Sequence, residues 1–124
     1  MSANAEFIAV NIDCPEPPVL AAFYRDITGG EVTYEQEDYA ATVLPGGVTL
    51  YFQKVADHRP PQWPDADHPQ QFHLDFYVDD LDKAEASALE DGATKPAFQP
   101  GPDAWRVLAD PAGHPFCLCL RKTS

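Results

Sequence analysis

The stretch that decides the fold is Phe72-His73-Leu74-Asp75-Phe76-Tyr77-Val78-Asp79-Asp80, because the chain has already said something close to it at Glu6-Phe7-Ile8-Ala9-Val10-Asn11-Ile12-Asp13-Cys14. In the register that sets Ile12-Asp13-Cys14 on Val78-Asp79-Asp80, His73 falls opposite Phe7. Each copy alternates apolar residues with others, as a half-buried strand does, then breaks at acidic or proline residues and enters a helical pattern. The first helix is expected over Val19–Ile27, with Val19, Leu20, Phe23, Tyr24 and Ile27 as its apolar stripe. It ends at Gly29-Gly30. The second is expected over Leu81–Asp91, N-capped by Asp79-Asp80, with Leu81, Ala84, Ala88 and Leu89 inward and Gly92 at its end.

Outward from these anchors the remaining segments read as strands. Glu31 to Tyr34, Tyr39 to Leu44 and Val48 to Val55 complete the first half. Thr94 to Phe98, Ala104 to Ala109 and Phe116 to Arg121 complete the second, with a turn at Asp110-Pro111-Ala112-Gly113. The chain is therefore expected to be α+β: two β-α-β-β-β modules forming a curved mixed sheet with helices on its convex side. Module one spans about 6–55 and module two about 72–121. The Pro-rich stretch Ala56 to Gln71 links them and is long for a simple connector.

The chain has 124 residues, a single-domain length with enough surface to bury for a core. The net charge is −12, from 8 Lys+Arg against 20 Asp+Glu. That disfavours nucleic acid and anionic membrane, which both require cationic patches. No apolar run approaches the roughly 20 residues of a membrane-spanning helix, and Met1 to Glu6 has neither the basic nor the apolar region of a signal peptide. Cys14, Cys117 and Cys119 are odd in number, and the last two sit too close on one strand for a good disulfide. A cytoplasmic protein is expected.

Strand parity selects the residues that carry chemistry. If Leu74, Phe76 and Val78 pack beneath a helix, then His73, Asp75 and Tyr77 face the other way. By the same parity Cys117 and Cys119 share that face, as do Tyr51 and Gln53 in the first module. These are the expected ligand-contacting residues, with His73 as the acid–base or metal-ligating group. Trp63, in the Pro-rich loop, is preferred to Trp105 as a lid. His58 and His68 lie in the same acidic loop and His114 beside an exposed turn; no role in the site is assigned to them.

With these residues placed, the duplicated unit resembles the paired modules of the vicinal oxygen chelate superfamily, which includes glyoxalase I, extradiol dioxygenases, fosfomycin-resistance enzymes and bleomycin-binding proteins. The resemblance rests on Phe72-His73-Leu74-Asp75-Phe76, Leu108-Ala109-Asp110-Pro111-Ala112-Gly113-His114-Pro115-Phe116-Cys117 and Leu50-Tyr51-Phe52-Gln53-Lys54-Val55. It is similar above all to the small bacterial glyoxalase-like domains. Metal-dependent members place a ligand on the first and last strand of each module, usually His or Glu. Carried onto this chain, those positions are Phe7, Gln53, His73 and Cys117. Phenylalanine cannot ligate and glutamine is a weak neutral donor, so a divalent metal is disfavoured; His73 is the expected metal residue, and Asp75 could substitute as a ligand. The resemblance implies either a lyase or isomerase acting on a small carbonyl or oxygenated metabolite, or a non-catalytic binder of an antibiotic-type small molecule with a degenerate metal site. It also implies a homodimer.

Overall fold

Helix α1, Pro17–Thr28, starts on the proline pair Pro17-Pro18, whose missing N–H groups fall in the first turn where no intrahelical acceptor exists. It stops at Gly29, which adopts the left-handed conformation at φ 76°. A computed structural model describes residues 4, 6–65, 67 and 72–121 of the chain. It divides into two compact units, with the boundary between His58 and Arg59.

In the first unit four strands form one sheet in the order β1-β4-β3-β2. Their ranges are β1 Ala9–Cys14, β2 Glu31–Gln36, β3 Tyr39–Val43 and β4 Thr49–Lys54. β1 runs parallel to β4, and the other pairs are antiparallel. Ile12, Ala40, Thr42, Leu50 and Phe52 line the face covered by α1 and are buried. The Tyr24 ring stacks on Phe52 with centroids 5.7 Å apart. The Thr42 hydroxyl donates to the Ala21 carbonyl at 2.8 Å and ties the helix to the sheet. The expected stripe is realised at Leu20, Phe23 and Tyr24, but Val19 remains 46% exposed. A stripe defined by spacing alone is wider than the face the sheet can cover.

In the second unit β5 Leu74–Val78, β6 Trp105–Ala109 and β7 Pro115–Leu120 form a three-stranded sheet, with β7 in the centre. β7 runs parallel to β5 and antiparallel to β6. Helix α2, Leu81–Glu90, is N-capped as expected: the Asp80 carboxylate accepts from the Lys83 amide at 3.0 Å. It packs on the face that carries Phe116, Leu118 and Arg106. Arg106 donates to Glu85 at 3.0 Å and to Asp82 at 3.1 Å. Burial opposes ionisation of Glu85, but hydrogen bonds from Lys95 and Arg106 hold its carboxyl below the usual range. Leu89, expected inward, is 39% exposed.

Two further expectations are corrected here. Thr94 to Phe98 is not a strand; it makes only an isolated bridge from Thr94 to Ala109. Pro96 lacks the N–H that continued pairing would require. The side-chain amide of Gln99 takes over, donating to the Val107 carbonyl at 2.8 Å and accepting from the Val107 amide at 2.9 Å. His114, expected in solvent, is half-buried, with its ring 6.4 Å from that of Phe72. Buried Asp110 accepts from the amides of Ala112 and His114, which holds the turn and draws His114 inward.

Candidate functional site

The face of the β5-β7-β6 sheet opposite α2 bears the site. Cross-strand register sets Asp75 beside Cys117 and Tyr77 beside Cys119. On the other flank of β7, Val107 stands beside Cys117 and Trp105 beside Cys119. With His73 just before β5 and Arg121 just after β7, Asp75, Tyr77, Trp105, Cys117 and Cys119 line a cleft of about 900 Å³. That volume suits a small organic ligand.

Charge and hydrogen bonding in the cleft centre on Asp75. Its Oδ1 lies 3.2 Å from His73 Nε2. Donor atoms of His73, Asp75 and Cys117 all lie within 4.8 Å of one another. Burial pushes the Cys117 thiol up to about 12, and the negative charge of Asp75 adds to the effect. Burial, then Asp75, raises Cys119 as well. Both sulfurs are therefore neutral thiols at physiological pH. An activated thiolate needs a dominant nearby cation; here burial, with the Asp75 carboxylate, acts in the opposite direction and disfavours nucleophilic catalysis by Cys117.

His73, Asp75, Tyr77 and Cys117 are thus brought together as the sequence suggested. Tyr51 and Gln53 lie on β4 of the first unit, on the sheet face opposite α1. There Tyr51 stacks against Tyr39 at 5.5 Å, and Gln53 is in register between Asp13 and Tyr39. Trp63 is not among the residues lining the His73 cleft. Its ring packs 5.5 Å from Phe98 and borders a smaller cleft of about 290 Å³ with Thr94, Pro96 and Leu108. Trp105 is the tryptophan at the His73 cleft. Arg121 was missed; the parity that selected Cys117 and Cys119 selects it too, two positions on. Of the loop histidines, His58 is half-buried and His68 lies outside the described residues.

The fit of a metal centre can be judged on the donor set. Phe7 precedes β1 and offers no donor, and Gln53 offers only a neutral amide. His73, Asp75 and Cys117 bring three donor atoms within 4.8 Å of one another, one short of four. A hard divalent ion prefers carboxylate and imidazole ligands. These residues do not fit the four-ligand centre that the family resemblance implies.

Comparison with known proteins agrees with this architecture. No curated protein matches the chain. Among solved structures, a glyoxalase/bleomycin resistance protein/dioxygenase family enzyme from Burkholderia phytofirmans PsJN is 22% identical, with TM-score 0.68 over 94% of this chain and 98% of that one. A bleomycin-binding protein from Streptomyces verticillus, solved with copper(II)-bleomycin, is 14% identical, with TM-score 0.61 over 98% and 100%. A fosfomycin resistance protein from Listeria monocytogenes is 13% identical, with TM-score 0.66 over 98% and 96%. At these identities the likeness is one of fold. The glyoxalase-like domain model matches residues 9–119, nearly the whole chain, and the protein therefore belongs to the glyoxalase-like domain family.

Proposed function

We propose that this chain is a small-molecule-binding protein of its family, with its ligand cleft on the open face of the second module and without the family's four-ligand metal centre. One observation carries the reading. An exposed sheet face gathers an imidazole, a carboxylate, two aromatic rings and two neutral thiols around a single cleft. Apolar walls with a few convergent polar groups are what small-ligand sites require. Bleomycin binding by the Streptomyces verticillus neighbour supports a binder on this fold. The three cysteines carry no disulfide, which supports a reducing, cytoplasmic setting.

A second reading is favoured by the His73–Asp75 pair at 3.2 Å. A carboxylate beside an imidazole fixes its orientation and tautomer. His73 would then move a proton at a carbonyl or hydroxyl of the substrate, as a lyase or isomerase needs.

Thermal-shift screening of metabolites and antibiotics tests the binding reading, with His73→Ala, Tyr77→Ala and the α2 control Lys83→Ala compared. Ligands that stabilise the wild type and the control but neither cleft variant are expected. Equal stabilisation of all three variants would refute the site.

A further inference from the structure

Two large aromatic residues on the open face of this sheet are exposed. Tyr77 is 67% and Trp105 is 38% accessible. They stand in one cross-strand row, flanking Cys119 on either side. Strands lie about 4.8 Å apart, so the backbones that carry the two rings are roughly 10 Å apart. One flat ring stacked between two others needs about 7–8 Å from outer ring to outer ring. The row is therefore wide enough to admit one planar ring between the two, with the small Cys119 side chain as its floor. A neutral sulfur beneath an aromatic ring is a favourable contact.

The ends of the slot differ. Rows along a strand are about 6.7 Å apart. One row below Tyr77 lies Asp75, engaged with His73 at 3.2 Å. One row above is Arg121, whose backbone amide continues the ladder to the Val78 carbonyl at 2.9 Å. Its guanidinium carbon sits 5.1 Å from the Tyr77 ring centroid, and its Nε donates to Asp79 at 3.3 Å. Among the described residues Arg121 is the one arginine or lysine lining the cleft. Its ion pair engages Nε, and two Nη groups remain on the fork to meet a carboxylate. A ligand cation would meet the like charge of that guanidinium.

We infer that the cleft selects a planar aromatic anion, its ring held between Tyr77 and Trp105 and its carboxylate or phenolate oxygen met by Arg121. The inference rests on the small-molecule reading of the cleft and names the ligand class for it.

Calorimetric titration of the full chain at pH 7.5 and fixed ionic strength tests it with four probes: 2-naphthoate, 2-naphthylmethylammonium, 2-naphthalenemethanol and the non-planar decalin-2-carboxylate. Naphthoate is expected to bind at least tenfold tighter than the ammonium or the decalin acid. Tyr77→Leu and Trp105→Leu should each weaken it roughly 3- to 10-fold. Arg121→Gln should abolish the preference for naphthoate over the alcohol and leave the alcohol's affinity unchanged. Lys83→Ala should change nothing. Equal binding of the decalin acid or the ammonium, or an unchanged preference in Arg121→Gln, would overturn the inference. So would no naphthoate binding at millimolar concentration. In each of these cases the broader reading survives if other small molecules bind the cleft, and it falls only if none does.

Discussion

The carboxylate of Asp75 lies 3.2 Å from Nε2 of His73, and the same carboxylate raises the neighbouring Cys117 thiol. One side chain thus holds an imidazole in place and adds to the burial that keeps a thiol protonated. That combination suits a hydrogen-bonding ligand site better than a nucleophilic one.

Cys117 should accordingly be inert. With its thiol at about 12 rather than the ordinary 9.0, the thiolate fraction at pH 8 falls roughly 1000-fold. Alkylation by iodoacetamide, read by peptide mass spectrometry, should be negligible at pH 8 and rise only above about pH 11. Asp75→Asn should lower the pKa and speed alkylation, without restoring ordinary reactivity, because burial is the larger cause. The shift also sets a sign for stability. The unfolded thiol ionises first, so stability from this group is fully present below about pH 9 and declines as pH rises towards 12. Rapid labelling of Cys117 at pH 8 would contradict this account.

Gln99 acts as a substitute strand for Val107, with contacts of 2.8 and 2.9 Å. Gln99→Leu removes both and leaves the amide and carbonyl of a buried residue without this partner. A loss of about 1–3 kcal/mol is expected in urea denaturation. An unchanged midpoint would show that water replaces the side chain at no cost.

The architecture was legible because periodicity reports burial, and burial alternates on β4 and β5 and repeats around both helices. His73, Asp75, Tyr77 and Cys117 were legible for the same reason. Gln99 was not: a side-chain amide imitating a strand leaves no periodic trace, and Pro96 is the only local sign that backbone pairing stops. Trp63 misled because a long Pro-rich loop signals function without saying which surface it packs against. Here Pro60 lies so close to Gly113 that a Cβ at that position would fall 2.5 Å from the Pro60 Cβ. Arg121 was within reach of parity but sits at a strand end, where boundaries are least certain.

The donor set predicts the metal content. Elemental analysis after dialysis should find zinc, nickel, iron and manganese well below one equivalent per chain. About one equivalent, lost in His73→Ala, would show that His73 anchors a metal centre and contradict this reading.

Homodimerisation is expected as well. β5 and β2 are edge strands of their sheets, and edges left unpaired invite a partner. Light scattering across micromolar concentrations should give twice the chain mass. A monomer throughout would rule it out.

The central claim is that small molecules bind the open face of the second module. Its most direct test is amide chemical-shift mapping of the isotope-labelled chain against a library of small metabolite-like fragments. The account predicts that binders perturb residues 73–77, 105 and 117–121 together while α2 stays unmoved. Binders that cluster on another surface, or a library that leaves these strands silent, would contradict it.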